Sequence, residues 1–289
     1  MQLENLRPSV LLACDSHIHV YGPKNLYPVI DEARYNWYES PLEAHAPFAR
    51  ANGIDRVVIV QPSIYGTDNR CTLDAAHQLG TNGRAVVDIN PYHTTLAQLK
   101  AMHTMGARGA RLTVTLSQRP DADLAARTKA RIQALVSVIK PMEWHLELMT
   151  PGWLTTLLLP VLRVTEIDYC FAHMAGLKPS ESSTPADFEA FLNVISDPDQ
   201  RCHLKLSAFY RVSNAPMYSD LESMIRKFVA EAPKRLFWGT DFPHPSFSDR
   251  EVPQSQLDML YRCVKDTATL EQILVHNPAR FYRFDRQND

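Results

Sequence analysis

The sequence predicts an α/β fold, a single (β/α)8 TIM barrel with a long loop after its first strand. Three observations lead there. Eight short runs of apolar and β-branched residues alternate with stretches of helical pattern. No low-complexity linker interrupts the 289 residues, and such a barrel typically needs about 250. Strand–helix alternation implies parallel pairing through right-handed crossovers. One domain over 1–289 is therefore expected.

The elements follow in order. Strands are predicted at 13–20, 56–61, 84–90, 109–114, 144–149, 167–172, 203–207 and 236–239, each a short apolar run with turn-forming residues nearby. Helices are predicted between and after them, at 41–52, 72–80, 96–106, 122–138, 152–162, 185–195, 221–232 and 254–264. The third of these ends at Gly106, a residue suited to closing a helix. The connection from 20 to 41 is the long one. No phosphate-cradling glycine motif is present, which argues against a nucleotide site.

Composition narrows the functional classes. Hydrophobic residues make up 45% and charged residues 21%, a balance that excludes a disordered or fibrous chain. Lys+Arg 30 against Asp+Glu 32 leaves a net charge of -2, so no global positive field favours nucleic acid as a partner. The five cysteines include no C-x-x-C pair, and reduced cytosolic thiols are the simpler expectation. Residues Leu11, Leu12, Ala13 and Cys14 imitate a lipoprotein box, but Glu4, Arg7 and Pro8 leave too short an apolar run before it. No window reaches the roughly 20 apolar residues of a membrane span. A cytoplasmic protein with no membrane partner is expected, and its oligomeric state is not legible.

Barrel chemistry collects where strands end. Asp15, His17 and His19 share one side of the first strand by its period of two. His173 follows the sixth strand and Asp241 the eighth. Any one of the 11 histidines alone could be a satisfied structural imidazole; an H-x-H, a distant His and an Asp all at strand ends form a catalytic pattern. Arg111, Arg119 and Arg211 can reach the same mouth, where a guanidinium grips a carboxylate in a two-pronged fork. Ser63 is a further hydrogen-bond donor for substrate. Asn69 and Arg70 read as braces of the loop after the second strand. Tyr35, Trp37 and Tyr38 lie in the long loop and can either lid the site or pack on its rim.

These pieces together resemble the amidohydrolase superfamily, in its amidohydrolase-related (amidohydrolase 2) branch. Within that branch they are similar to the 2-pyrone-4,6-dicarboxylate lactonase-like and sugar-acid lactonase hydrolases. The matching stretches are DSHIHVYGP at 15–23, GTDNR at 66–70, GAR at 109–111, AHMAG at 172–176, RLFWGTDFPHP at 235–245 and NPARF at 277–281. The resemblance implies a hydrolase that opens a small anionic lactone, with Arg111, Arg211 and Arg119 holding substrate carboxylates. Departures accompany it. Met149 stands where the pyrone enzymes carry a Tyr, and Arg111 stands where metal-dependent members carry a ligand. His145 and Glu147 share one face of the fifth strand, and neither their role nor that of His244 is assigned.

Two chemistries suit the same set. In the one the resemblance favours, no cofactor is needed: Asp241 takes a proton from water while His17, His19 and His173 polarise the carbonyl. In the other, His17, His19, His173 and Asp241 bind one divalent metal such as Zn²⁺ or Mn²⁺, an arrangement that also serves decarboxylases. A barrel that merely binds an anionic metabolite is a third possibility; a carboxylate beside the ligand argues against it.

Overall fold

The computed structural model describes residues 12–31, 35–179, 185–249 and 251–284. The lipoprotein-like Leu11 and the residues before it lie outside them. Eight strands form one parallel sheet in chain order: β1 (Ala13–Ile18), β2 (Ile54–Val60), β3 (Gly83–Val87), β4 (Ala107–Thr113), β5 (His145–Met149), β6 (Tyr169–Phe171), β7 (Cys202–Leu206) and β8 (Leu236–Trp238). All eight predicted strands are present, with ends shifted by up to three residues. Their near-continuous apolar character has a plain cause, because a parallel sheet is covered on both faces. Val58, Ile59 and Val60 have no exposed surface.

Closure comes from the loop after β8. Asp241 donates its N–H to the His17 carbonyl at 2.8 Å, and His19 donates to the Phe242 carbonyl at 2.8 Å. The segments that seal the barrel are thus the ones carrying the histidines and the aspartate. Eight helices follow as predicted: α1 (Ala46–Ala51), α2 (Arg70–Gln78), α3 (Leu96–Thr104), α4 (Ala122–Ile139), α5 (Gly152–Arg163), α6 (Pro185–Ser196), α7 (Glu222–Glu231) and α8 (Pro253–Cys263). Caps fix some of their starts. Thr95 and Gln98 form a reciprocal capping box on α3, and Asp121 accepts from Leu124 on α4.

The sequence reading stopped at α8, and the structure continues through α9 (Thr267–Glu271) and α10 (Asn277–Phe281). This tail plugs the end of the barrel opposite the site. Phe281, Tyr282 and Phe284 pack with Cys14, Val58, Cys170 and Phe237 in a cluster of their own. Arg84 donates to the Tyr282 and Arg283 carbonyls at 3.1 and 2.8 Å, and its guanidinium lies over Phe284. Asn277 spans the Pro233 and Leu236 carbonyls at 2.8 and 2.7 Å, tying the tail to the start of β8. All five cysteines are free and buried. Among the described residues no helix is long and apolar enough to cross a membrane.

Candidate active site

The site sits at the C-terminal end of the strands, where β1 leaves the sheet. Asp15 is spent on the frame. Its Oδ1 accepts from the N–H of Thr240 and of His17, and its Oδ2 accepts from Thr240 Oγ1 at 2.6 Å and His45 Nε2 at 3.0 Å. That network sets β1 against the β8 loop. Gly239 permits the approach, since a Cβ there would lie 2.7 Å from the His17 backbone nitrogen. His173 and Asp241 both hold positive φ, +53° and +63°. Non-glycine residues in that region cost on the order of 1–3 kcal/mol and cluster at functional sites.

Three imidazoles converge on one oxygen. Asp241 Oδ1 lies 3.5 Å from His17 Nε2, 3.3 Å from His19 Nε2 and 3.7 Å from His173 Nε2. The far side of each ring is held by a different partner. His19 Nδ1 meets the Val60 carbonyl at 2.7 Å. A carbonyl only accepts, so a neutral His19 carries its proton on Nδ1 and turns a bare lone pair toward Asp241. His173 Nδ1 lies 3.0 Å from Ser207 Oγ, and His17 Nδ1 lies between Glu147 and Lys205. Burial first, then neighbouring positive charge, holds the His17 pKa well below its ordinary value; burial likewise pushes His173 down to about 3. Both are neutral near pH 7.

Asp241 is fully buried and anchored through its other oxygen. Tyr210 donates its hydroxyl to Oδ2, and Arg211 Nε donates to the same atom at 3.0 Å. Burial alone would raise the Asp241 pKa. Positive charge gathered around it, with the Arg211 guanidinium at 3.0 Å, outweighs burial and holds the group well below the usual carboxylate range.

His17 Nε2 and Asp241 Oδ1 are buried without any hydrogen-bond partner. Unpaired buried polar atoms are costly, and here two of them face each other across a nest of lone pairs. Such a nest suits a cation. Ligand atoms of His17, His19 and Asp241 all lie within 4.8 Å of one another, and imidazole nitrogen with carboxylate oxygen is a donor set for Zn²⁺ or Mn²⁺. The expectation of a site needing no cofactor is therefore corrected.

A second group, His145, Glu147 and Cys170, also meets within 4.8 Å. Its surroundings differ. Lys205 Nζ already sits 2.6 Å from Glu147 Oε2, and burial pushes the Cys170 thiol well above its ordinary value, away from the thiolate a metal needs. His145 packs against Phe281 and Tyr282, with ring centroids 4.5 and 5.2 Å away.

A cavity of about 250 Å³ opens over the histidines, near the small end of the roughly 300–1,000 Å³ typical of ligand sites. His19, His173, Asp241, Arg111, Arg211 and Ser63 line it. Arg111 is nearly buried and donates to the Gln61 carbonyl; no carboxylate lies within salt-bridge distance among the described residues. Arg211 is instead paired to Asp241. Arg119 is exposed on the loop after β4 and is not among the lining residues. Tyr35 of the long loop lines the cavity beside Tyr21, while Trp37 stacks on Tyr21 and Tyr38 donates to the Pro243 carbonyl at 2.6 Å. Met149, Thr113 and Thr115 form the opposite wall. His244 is buried beside Tyr210, and burial first lowers its pKa to about 4. Asn69 braces its loop through Thr67 and Asp88, and Arg70 pairs with Asp68 at the surface.

A family model described as amidohydrolase matches residues 14–284, nearly the full chain. The chain belongs to the amidohydrolase family. Among its relatives, 4-sulfomuconolactone hydrolase of Hydrogenophaga intermedia is 30% identical over 272 residues, covering 93% of this chain and 88% of the relative. A 2-pyrone-4,6-dicarboxylate hydrolase of Comamonas testosteroni is 27% identical over 286 residues, with 93% and 90% covered. A solved Pseudomonas putida chain, assigned as a 2-pyrone-4,6-dicarboxylic acid hydrolase, superposes with a TM-score of 0.82 at 24% identity, covering 96% of this chain and all of that one. The structural likeness shows the same fold. Tyr210 and Lys205 are features of this amidohydrolase that the sequence reading missed. A lone Lys inside the apolar run Cys202–Leu206 was the available signal for the second.

Proposed function

We propose that this chain hydrolyses the ring ester of a small carboxylated lactone, with a divalent cation held by His17, His19 and Asp241 and with His173 as the next donor. Residues 1–289 act as one domain around that centre. The observation carrying the reading is the convergence of three imidazole nitrogens on a buried, unpartnered carboxylate oxygen. The substrate class rests on the relatives, two of which are named for hydrolysing sulfomuconolactone and pyrone dicarboxylate. Arginines in the cavity support an anionic ligand.

When bound, a divalent cation supplies Lewis acidity and lowers the pKa of water toward about 7. The chain does the rest. Arg111, with no carboxylate within salt-bridge distance among the described residues, grips a substrate carboxylate and sets the ring against the histidines. Ser63, which is exposed at the rim, donates a further hydrogen bond to the substrate. Tyr210 and Arg211 lock Oδ2 of Asp241, leaving Oδ1 toward the reaction centre, and that oxygen receives the proton released by the attacking water. So strongly stabilised a carboxylate is a weak base on its own. A bound cation would supply the acidity that matches so weak a base.

The test is a lactone panel on the purified full chain, contrasting dicarboxylated pyrones, aldono- and aldarolactones and muconolactones. Released acid is followed by pH change before and after exhaustive chelation, with elemental analysis of the protein. Hydrolysis of a carboxylated lactone, lost on chelation and restored by Zn²⁺ or Mn²⁺, is the expected result. Full activity in demonstrably metal-free protein would overturn the cation, and intact lactones across the panel would overturn the activity.

A further inference from the structure

Next to the site lies a buried histidine that the chemistry above leaves unused. His244, in the loop after β8, is 1% exposed and holds a φ of +59°. Its Nε2 is buried without a hydrogen-bond partner, and its Nδ1 makes a hydrogen bond of 3.4 Å with the Tyr210 hydroxyl. The two rings meet edge to face, with centroids 5.2 Å apart. A phenylalanine could fill such a space without burying an unpaired ring nitrogen, which is costly. The imidazole therefore asks for a reason, and Tyr210 is its polar side-chain partner among the described residues.

Counting hydrogens gives that contact a direction. A tyrosine hydroxyl carries one hydrogen, and an ionised carboxylate only accepts. Asp241 lies 3.0 Å from the Arg211 guanidinium and is ionised near pH 7. Tyr210 therefore commits its hydrogen to Asp241 Oδ2. Its oxygen meets His244 with lone pairs alone, so the hydrogen of that bond comes from the ring. It sits on Nδ1, and the unpartnered Nε2 is bare whenever the ring is neutral. A line of donors thus runs from His244 through Tyr210 to Asp241, joining the loop after β8 to the turn after β7.

We propose that His244 is a positioning residue. Its Nδ1–H donates to the Tyr210 oxygen and keeps the Tyr210 hydrogen on Asp241 Oδ2, which leaves Oδ1 toward the three histidines. The consequence for metal affinity rests on the cation reading of the site; the direction of the hydrogen bond does not.

Four variants of the full chain test it: Tyr210→Phe, His244→Phe, His244→Asn and the double variant Tyr210→Phe/His244→Phe. His244→Phe keeps a ring and loses the donor. His244→Asn offers an amide N–H in place of Nδ1, and Asn tolerates positive φ. The His244 tautomer is read from ¹⁵N chemical shifts of histidine-labelled protein without added metal, the signals being assigned by their loss in His244→Asn. Zn²⁺ affinity is read by competition with a chromophoric chelator, and circular dichroism confirms folding.

Wild type should show Nδ1–H on His244. Tyr210→Phe removes the acceptor, and the ring should move toward the Nε2–H form. Tyr210→Phe should bind Zn²⁺ roughly 10- to 100-fold more weakly, as loss of an outer partner of a metal ligand typically does. His244→Phe should show part of that loss, and His244→Asn should recover most of it. The double variant should bind no more weakly than Tyr210→Phe alone, because His244 acts through Tyr210. An Nε2–H ring in wild type, or an unchanged ring in folded Tyr210→Phe, overturns the proposal whatever the affinity. A double variant in which the two single losses add overturns it as well. Wild type that binds no Zn²⁺ while its ring behaves as stated would sink the cation reading and leave the His244 donation to Tyr210 standing.

Discussion

Arg111 and Arg211 line one cavity, yet their surroundings give them different work. Arg111 has no carboxylate within salt-bridge distance among the described residues, so in the proposed role its replacement removes a contact to substrate. Arg111→Met should cost roughly 1.5–3 kcal/mol, about 10- to 150-fold in kcat/KM, mainly as raised KM. Arg111→Lys should recover part of this, because it restores charge without the fork. Arg211 holds Asp241 Oδ2 as well, so Arg211→Met should lower kcat in addition to raising KM. Equal effects on KM alone would return Arg211 to simple substrate binding. Asp241→Asn keeps the shape but turns an acceptor-only group into one with an NH₂ that must face either the histidine lone pairs or the Tyr210 and Arg211 donors. Turnover should fall about 10²- to 10⁴-fold, measured on whichever lactone the panel selects; a rate near wild type would remove Asp241 from the chemistry. His17, His19, His173 and Asp241 were visible in the sequence because each stands at a strand end. The partners on the far side of the rings were not, since Val60, Ser207 and Lys205 come from distant parts of the chain.

Strands were the easiest elements to read, because burial on both faces leaves only apolar runs such as Val57–Val60 between turn signals. The tail was harder. Helices α9 and α10 are five residues each, too short to show a helical period, and their purpose appears only when Phe281 and Tyr282 enter the barrel end. Lys205 and Glu147 were equally hidden: alternation places each on one face, but their meeting is decided by strands lying two places apart around the barrel. Arg119 stays outside the cavity lining, since a loop residue has no strand to aim it. Gly239 shows how tightly β8 is set against β1. In Gly239→Ala the new Cβ would meet backbone and Cβ atoms of His17 at 2.7 and 2.8 Å, which cannot rotate away. Overpacking of this kind costs roughly 1–3 kcal/mol, and at about 2–4 °C per kcal/mol for a chain of this order the melting temperature should fall by roughly 2–12 °C. Zn²⁺ affinity should weaken with it, because His17 itself is displaced. An alanine variant with unaltered melting and metal binding would show that β1 can slide after all.

The barrel as a unit is built around neutral imidazoles, and this sets how it meets acid. Burial comes first among the causes that hold the pKa of His17 and His145 well below the ordinary value of 6.5, and it lowers His173 and His203 to about 3. The unfolded chain protonates these rings near 6.5, whereas the folded chain resists until far lower pH. Between those limits the unfolded state binds more protons, so stability rises with pH there. The contribution of each ring is present in full above about 6.5 and drains away as pH falls toward its folded value, at about 1.4 kcal/mol per pH unit. His203 isolates the effect, because it lies at the barrel end remote from the cavity, stacked on Phe237 with ring centroids 5.2 Å apart. His203→Phe keeps an aromatic ring in that stack and removes the titration. Chemical denaturation of wild type between pH 7 and 5 should show stability falling steeply with acid, and the variant should lose about 1.4 kcal/mol less per pH unit below 6.5. Parallel curves for the two proteins would mean that His203 is already protonated in the fold, and that this end of the barrel is wetter than its packing indicates.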